Sequence, residues 1–255
     1  MTPAGRAASV CYPLQEDLEL AEAIDADRRT AAVSALAARE IEIPVGAWAG
    51  NPVPIEGGLG LLVLEGVLAH RIGIDDRFSA ELLGDGDVLR SLRGEFQPTP
   101  LRLSASWLVL EPTRLAVLDE RFVRQLAAFP HLAGRLFARS VLRTRQLAVN
   151  MAIVHQARVD VRLHMLLWHL AGRWGRVRSD GVVVPLRLTH AILAELVAAR
   201  RPTVTSALSE LARGGLVRSV DEGWLLSGQP PGELGSQPAS VPPARTGARG
   251  SRNGA

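Results

Sequence analysis

Residues 188–217 of this chain read LTHAILAELVAARRPTVTSALSELARGGLV, and this stretch decides how the C-terminal part of the protein folds. The pattern indicates two short helices joined by a tight turn. Thr189 is a good N-cap for the first helix, and Pro202 suits the first position of the second. Apolar residues of the second helix recur at i, i+3, i+4 and i+7, which predicts one buried face. These residues are Val204, Ala207, Leu208 and Leu211.

The opposite face of the second helix carries small hydroxyl and arginine side chains. Such side chains can enter a major groove and hydrogen-bond base edges and phosphates, and the positive end of the helix dipole favours that contact. Gly214 and Gly215 end the helix, and residues 216–219 and 223–227 then predict a β-hairpin wing. The outward residues are Arg201, Thr205, Ser206, Ser209 and Arg213, with Thr203 at the edge of the face.

Upstream of this segment the pattern changes from strands to helices. Between residues 41 and 118, short β-branched or leucine-rich runs alternate with Gly, Pro and Asp turns, which is typical of a β-sandwich or jelly-roll. Helices are predicted over 131–156 and 159–174, with a loop or small hairpin over 175–186. The expected fold class is α+β. The predicted strands are 41–45, 60–65, 67–74, 78–83, 88–89, 101–110 and 115–118.

The helix predicted over 131–156 carries an apolar stripe that needs a partner surface. Pairing with the same helix of a second chain would cover the stripe, and packing on the chain's own barrel would cover it equally well. The stripe is Leu132, Leu136, Phe137, Val141, Leu142, Leu147, Met151 and Val154.

Charge and cysteine content narrow the classes of protein. Residues 1–120 hold 10 arginines and 19 acidic residues, whereas residues 121–228 hold 16 arginines and 6 acidic residues. This asymmetry predicts that the basic half contacts a polyanion, although arginine bias alone would also make surfaces basic.

Cys11 is the only cysteine, so an intramolecular disulfide and a cysteine-ligated zinc or iron–sulfur site are excluded. No apolar run has the roughly 20 residues of a membrane span, and no export signal is recognised. A cytoplasmic location is therefore expected.

The stretch 191–217 resembles the helix-turn-helix of the Crp/Fnr regulators and needs no gap. Its strongest motif is Arg-Arg-Pro-Thr-Val-Thr at 200–205, followed by Ala-Leu-x-x-Leu-x-x-x-Gly-Leu-Val. Residues 158–163 resemble the family's hinge and following helix. Residues 64–67 and 83–89 are similar to strand and turn motifs of its cyclic-nucleotide-binding fold. The resemblance covers about residues 20–228 and implies an N-terminal β jelly-roll of cyclic-nucleotide-binding type, a long dimerisation helix and a C-terminal winged helix-turn-helix.

The resemblance also implies a function. A homodimer would bind a pseudo-palindromic operator in double-stranded DNA, with its two recognition helices in successive major grooves, and would contact RNA polymerase. By position, Arg201, Pro202 and Ser206 would read bases, and three further residues of the helix would lie near the DNA backbone. These are Thr203, Thr205 and Ser209. Relatives with a known operator carry an acidic residue in place of Pro202 and an arginine in place of Ser206, so their operator does not transfer.

The DNA-binding set is Thr189, His190, Arg200, Arg201, Pro202, Thr203, Thr205, Ser206, Ser209 and Arg213. The dimer-helix set is Leu132, Leu136, Val141, Leu147, Met151 and Val154.

The predicted effector pocket departs from the family pattern. Members that bind cyclic AMP have a Gly-Glu-Leu turn soon after the Gly-Asp turn and an Arg-Ser or Arg-Thr pair further along. This chain has Arg-Ser-Leu at 90–92, Gly-Glu-Phe at 94–96 and Arg-Leu-Ser at 102–104. Because a buried phosphate needs paired charge and backbone donors, a degenerate pocket with another effector, or none, is expected instead of a cyclic-nucleotide site. Its candidate residues are Arg90, Ser91, Gly94, Glu95, Arg102 and Ser104.

The histidines predict no metal site. His70 lies in the predicted barrel without a second His or Cys nearby, and His164 and His169 are five residues apart, so they do not share a helix face. No cofactor is expected, including no iron–sulfur cluster.

The predicted domains are a variable N-terminus (1–18), a β-barrel sensor domain (19–125), a dimerisation helix (126–157), a winged helix-turn-helix domain (158–228) and a disordered tail (229–255). The expected function is transcription regulation without enzyme activity and without a membrane partner. Two alternatives stay open, since fold alone does not dictate function. One is a winged-helix protein-interaction module that does not bind DNA, and the other is a metal-dependent barrel enzyme.

Overall fold

The computed structural model describes residues 9–49, 57–75, 77–89 and 101–232. In chain order the strands are β1 (Val10–Cys11), β2 (Ala38–Ile43), β3 (Gly46–Trp48), β4 (Gly60–Glu65), β5 (Leu68–Ile74), β6 (Arg77–Leu83), β7 (Val88–Leu89), β8 (Leu103–Val109), β9 (Thr113–Leu118), β10 (Arg176–Arg178), β11 (Gly181–Val184), β12 (Val217–Val220) and β13 (Gly223–Leu226). The helices are α1 (Pro13–Glu16), α2 (Leu18–Glu22), α3 (Ala26–Ala35), α4 (Glu120–Leu126), α5 (Pro130–Val154), α6 (Val159–Trp174), α7 (His190–Leu196) and α8 (Arg201–Arg213).

Two antiparallel sheets lie face to face in the N-terminal half. The first has the strand order β1-β2-β9-β4-β7, and the second has the order β3-β8-β5-β6. In β4, Leu61 and Val63 belong to the apolar cluster between the sheets, whereas Leu62 belongs to the cluster on the outer face. Because side chains alternate along a strand and both faces of β4 are covered, its sequence is almost entirely apolar.

Helices α1 to α4 and the first turns of α5 cover the outer face of the first sheet. Their apolar side chains form one cluster with Leu62, Ala116 and Leu118 of that sheet. Leu132 (1% exposed) and Leu136 (5% exposed) of α5 are part of this cluster. The prediction that Leu132 and Leu136 contact a second chain is thereby corrected, because the chain's own helices and sheet already bury them.

Helix α7 packs against the outer face of the second sheet. Ala80 and Leu82 of β6 join the same apolar cluster as Leu193 of α7. An ion pair spans the contact: Arg71 Nε donates to Glu195 Oε2 at 2.7 Å, and Arg71 Nη2 donates to Oε1 at 2.5 Å. One apolar cluster therefore extends from the barrel into the C-terminal part of the chain.

The observed elements agree closely with those predicted. The strands from β4 to β9 lie within one or two residues of the predicted runs, α6 has the predicted bounds, and residues 175–186 form the β10–β11 hairpin. The strands β1 and β3 were not predicted, because two or three residues are too few to show an alternating pattern. The α+β fold with a jelly-roll, a long helix and a winged helix-turn-helix is confirmed.

Candidate nucleic-acid interface

The helix-turn-helix consists of α7 and α8. Thr189 caps α7, since its Oγ1 accepts a hydrogen bond from the backbone N–H of Ile192 at 3.3 Å. In the turn, Ala198 has a φ of 50°, a left-handed conformation that residues with a side chain adopt only occasionally. Helix α8 begins at Arg201, so Pro202 is its second residue and not its first. Proline is tolerated there as well, because the first N–H groups of a helix have no acceptor within it.

Helix α8 is anchored by the face that the sequence predicted to be buried. Val204 has no exposed surface, and Ala207, Leu208 and Leu211 are 5–7% exposed. All four belong to the cluster that includes residues of α6 and α7. Since this face is held in the core, the opposite face of α8 is directed to solvent.

The outward face of α8 and its N-terminus carry exposed arginines. Arg200 is the N-cap residue, Arg201 is the first residue of the helix, and Arg213 is in its last turn. None of these guanidinium groups makes an ion pair within the part of the chain that the structure describes, so all are available to an external acceptor. The other exposed residues of this face are Pro202, Thr203, Thr205, Ser206 and Ser209.

The hydroxyl groups of α8 donate to carbonyl groups of the same helix. Thr205 Oγ1 donates to the Arg201 carbonyl at 3.1 Å, Ser206 Oγ to the Pro202 carbonyl at 3.3 Å, and Ser209 Oγ to the Thr205 carbonyl at 3.0 Å. A hydroxyl has a single hydrogen, so each of these groups then presents only lone pairs to solvent. In this arrangement the arginines are the donors of the outward face and the hydroxyls are its acceptors.

His190 lies where α7, α8 and the β12–β13 hairpin meet. Its Nδ1 is 2.9 Å from Thr205 Oγ1 in α8. Its ring centroid is 6.3 Å from that of Trp224 in β13, with the planes tilted by 36°. The predicted DNA-binding residue His190 thus has partners within the chain on two other elements.

The predicted wing belongs to a four-stranded sheet with the order β10-β11-β13-β12. Gly223, at the start of β13, has a φ of 151°, and a Cβ atom there would lie 2.2 Å from the Val184 carbonyl oxygen. Only glycine therefore allows β13 to approach β11 this closely. In β12, the Arg218 guanidinium is 3.7 Å from Asp180, so this arginine is paired.

The predicted effector residues do not come together in the described part of the barrel. Arg102 is exposed. Ser104 lies three positions from the inward-facing Trp107, hence on the outer side of β8, where its Oγ donates to the Gly73 carbonyl at 3.5 Å. Four predicted residues lie outside the described residues: Arg90, Ser91, Gly94 and Glu95.

The barrel interior contains a different polar group, which links the barrel to α5. His70 is 3% exposed, stacks on Trp107 with centroids 4.2 Å apart, and has its Nδ1 3.1 Å from Glu81 Oε1. Arg143 of α5 donates to both oxygens of Glu81 and to the Val88 carbonyl. His70 Nε2 is buried and finds no hydrogen-bond partner among the described residues. Glu81 was not among the residues predicted from the sequence, although it stands at an inward position of β6, two residues before Leu83.

The Glu81 carboxylate is held in its charged form. Burial acts to raise the pKa of Glu81, but hydrogen bonds from His70 and Arg143 and the charge of Arg143 outweigh it, so the pKa is lowered. Glu81 and Arg143 therefore form a charged link between β6 and the long helix.

An exposed stripe remains on α5 beyond Leu136. Phe137 is 71% exposed, Val141 38% and Met151 62%. Spacings of four and three residues alternate along this stripe, which is the heptad pattern of a coiled-coil seam. Its members are Phe137, Val141, Thr144, Ala148, Met151 and His155. Of the other residues predicted to form a dimer, Leu147 and Val154 lie beside the stripe.

The structure also places Cys11 and His164, two residues considered above from the sequence. Burial, with repulsion from Glu40 and Glu16, raises the pKa of Cys11 to about 12. His164 accepts a hydrogen bond from Trp168 Nε1 at 3.0 Å. Within the described ranges, no group of three His, Cys, Asp or Glu residues could hold a metal ion. No helix in those ranges is long and apolar enough to cross a membrane.

Comparison with known proteins agrees with this architecture. Residues 161–226 match the family described as a Crp-like helix-turn-helix domain. Over 147 residues the chain is 29% identical to a CRP-like cAMP-activated global transcriptional regulator of Mycobacterium tuberculosis, found in strains CDC 1551 / Oshkosh and H37Rv. This match covers 57% of the chain and 64% of the relative.

Solved structures show the same fold. A cyclic nucleotide-binding domain containing protein from Listeria monocytogenes EGD-e has a TM-score of 0.60 at 14% identity, over 73% of this chain and 87% of that one. A CooA mutant from Carboxydothermus hydrogenoformans has a TM-score of 0.58 at 19% identity, over 74% of this chain and 83% of that one.

The fold and these matches define the class of protein. A cyclic-nucleotide-binding-like barrel is joined through a long helix to a winged helix-turn-helix. Residues 161–226 are a Crp-like helix-turn-helix domain, and the described residues share the fold of the two solved structures. The aligned part of the chain spans slightly less than two thirds of the length of the Mycobacterium relatives, 64%.

Proposed function

We propose that this chain is a sequence-specific, DNA-binding transcription regulator that binds a pseudo-palindromic operator as a homodimer. The observation that carries the proposal is the outward face of α8, where unpaired arginines and hydroxyl groups are exposed while the opposite face is fixed in the core. A rigid helix with this face suits the major groove, because its arginines can donate to guanine and phosphate oxygens. The description of the Mycobacterium relative as a transcriptional regulator supports the proposal.

The proposed contacts divide into two groups. Arg201, Pro202 and Ser206 read base edges, because they lie on the outward side of the first turns of α8. Arg200, Thr203 and Arg213 hold the DNA backbone. Thr189, His190, Thr205 and Ser209 lie beside these contacts and make hydrogen bonds within the protein.

The proposed homodimer uses the heptad stripe of α5. Phe137 and Met151 are large apolar side chains with more than half of their surface exposed. Two such helices side by side would bury both stripes and place two copies of α8 on one side of the dimer. Contact with RNA polymerase is proposed only by analogy with the family.

The effector of the proposed regulator is not a cyclic nucleotide, although the Mycobacterium relative is described as cAMP-activated. The support is that Arg102 is exposed and that Ser104 lies on the outer side of β8, whereas a buried phosphate needs paired charge. We propose no enzyme activity and no cofactor. A cytoplasmic location is part of the same proposal.

Selection of duplexes from a random pool with the purified protein tests the proposal. We expect an enriched, two-fold symmetric sequence whose affinity falls steeply as salt rises, since arginines displace counterions from phosphates. Failure to enrich any sequence, or affinity insensitive to salt, would overturn it and favour a protein-interaction module.

Two neighbouring arginines provide a matched pair of variants. Arg201→Ala should weaken binding to the selected operator by about 1–3 kcal/mol, the cost of losing a bidentate base contact, and should relax the base preference at one position. Arg200→Ala should weaken binding to operator and unrelated duplexes alike and reduce the salt dependence by about one charge. Equal operator affinity of Arg201→Ala and the parent would refute the role of Arg201.

A further inference from the structure

We propose that His190 is a positioning residue for the recognition helix: it holds the Thr205 hydroxyl, and Thr205 in turn holds the carbonyl group of Arg201. This inference rests on the proposed function, because it names the residue that orients the base-reading end of α8. The observations that carry it are the 2.9 Å separation of His190 Nδ1 and Thr205 Oγ1 and the 3.1 Å hydrogen bond from Thr205 Oγ1 to the Arg201 carbonyl.

The two contacts of Thr205 determine which nitrogen of His190 carries its hydrogen. The hydroxyl has one hydrogen, and the Arg201 carbonyl can only accept, so the hydroxyl hydrogen is used in the bond to that carbonyl. Thr205 Oγ1 can then only accept from the imidazole. Both contacts are satisfied together only when His190 carries a hydrogen on Nδ1.

The result is a directed series of hydrogen bonds from α7 to the first residue of α8. His190 Nδ1–H donates to Thr205 Oγ1, and Thr205 Oγ1–H donates to the carbonyl oxygen of Arg201. This series bridges the turn between the two helices on the exposed side, whereas the apolar cluster holds them together on the buried side. The angle at which α8 leaves the turn is thereby restrained from both sides.

The wing is linked to the same point. The Trp224 ring of β13 lies beside the His190 ring, with centroids 6.3 Å apart. His190 is the first residue of α7 and Trp224 is in the wing, so the imidazole touches the three elements that surround the predicted DNA surface. A change at His190 should therefore alter the orientation of α8 more than it alters the stability of the core.

The neighbouring hydroxyl groups of Thr205 and Ser206 then have different roles. Thr205 has its hydrogen and one lone pair engaged within the protein, so it is a structural link and has little capacity left for a base. Ser206 donates only to the Pro202 carbonyl, and its lone pairs are unengaged among the described residues. In the major groove, such an acceptor suits the exocyclic amino group of adenine or cytosine.

Two isosteric amides test which nitrogen matters. Asn places its amide N–H close to the position of imidazole Nδ1–H, whereas Gln places its amide near Nε2. His190→Asn should bind the selected operator within about 3-fold of the parent, because it keeps the donor to Thr205. His190→Gln and His190→Ala should bind it about 5- to 30-fold more weakly, the effect of losing one or two hydrogen bonds, while affinity for unrelated duplexes changes less. Equal losses for His190→Asn and His190→Ala would overturn the inference.

Thr205→Val provides a second arm on the exposed face of α8, where a substitution of the same shape leaves the core intact. The double variant should lose no more operator affinity than Thr205→Val alone, because Thr205→Val already removes both bonds of the series and leaves His190 without its partner. Additive losses in the double variant would contradict the inference.

A third readout does not involve DNA. Nitrogen-15 NMR of the imidazole should show His190 in the Nδ1–H form in the parent and a shift toward the Nε2–H form in Thr205→Val. An Nε2–H form in the parent would overturn the inference. If the parent selects no duplex, the proposed function fails while the NMR result still stands or falls separately.

Discussion

Replacement of Glu195 by Gln should loosen the contact between the C-terminal domain and the barrel. Arg71 and Glu195 make two hydrogen bonds across this contact, and their side chains are only 29% and 18% exposed. The hydrogen bond that Arg71 donates to Glu195 raises the pKa of Arg71, although burial acts against it. The guanidinium also lies over the Phe78 ring at 4.7 Å, so Glu195 holds in place a second favourable contact.

The expected magnitude follows from these contacts. Hydrogen bonds to charged groups contribute about 1.5–3 kcal/mol in proteins, and a partly exposed cation–π contact contributes about 0.5–1 kcal/mol. Solvent screening of the exposed fraction reduces both contributions. We therefore expect Glu195→Gln to lower the free energy of unfolding by about 1.5–3 kcal/mol, with the apolar contact through Ala80 and Leu82 left in place.

Urea unfolding, followed by tryptophan fluorescence and circular dichroism, would measure this effect in the parent, Arg71→Gln, Glu195→Gln and the double variant. The two single changes should couple by about 1–2 kcal/mol, because each removes the same interaction. Arg124→Gln is the matched control, since Arg124 is 73% exposed and 3.9 Å from Glu120; it should change the free energy by less than about 0.5 kcal/mol. Additive losses for Arg71→Gln and Glu195→Gln would refute the reasoning.

Two further predictions concern α5. Phe137→Arg should convert the proposed dimer to a monomer, because it puts a charge into the heptad seam. Leu142→Arg is the control, since Leu142 is an exposed apolar residue outside the seam, and this variant should stay dimeric. If sedimentation analysis finds both variants dimeric, the assignment of the seam is contradicted. The pKa of Glu81 is lowered from its ordinary 4.5, so its contribution to stability is complete above about pH 4.5 and is lost as the pH falls through the lower folded-state value. The stability difference between the parent and Glu81→Gln, measured by urea unfolding from pH 7 to pH 3, should therefore shrink in acid, and a difference independent of pH would argue against a charged link to Arg143.

Much of the candidate interface could be predicted because it depends on short-range periodicity. The spacing of Val204, Ala207, Leu208 and Leu211 requires one face of α8 to be buried whatever the partner, and the opposite face is then exposed by helical geometry. The N-cap at Thr189 involves atoms only three residues apart. Such features are properties of the local chain, so they can be seen without the rest of the molecule.

The long helix shows where such prediction fails. The apolar residues of α5 cover more of its circumference than a single seam needs. Their periodicity therefore does not show which of them face the chain's own barrel and which face a second chain. The structure assigns Leu132 and Leu136 to the barrel, because α1 to α4 lie against that end of α5. The exposed stripe starts at Phe137, the residue that follows the buried Leu136.

The ion pairs could not be predicted from the sequence for a related reason. Glu81 and Arg143 are 62 residues apart, and Arg71 and Glu195 are 124 residues apart. From the sequence alone, a charged residue is expected to be exposed to solvent. Only the folded chain shows which guanidinium group pairs with which carboxylate. The contact between His190 Nδ1 and Thr205 Oγ1 spans only 15 residues, yet it too depends on how the turn orients two helices.

By itself, then, the amino-acid sequence determined the order of strands and helices, the buried and outward faces of α8 and the imbalance of charge between the two halves of the chain, because each is set by local spacing or composition. Tertiary structure alone decided which apolar residues of α5 enter the core, how the C-terminal part of the chain is held against the barrel, and which side chains make contact across the turn between α7 and α8. Those outcomes depend on contacts between segments that are distant in the sequence, and such contacts form only when the whole chain folds.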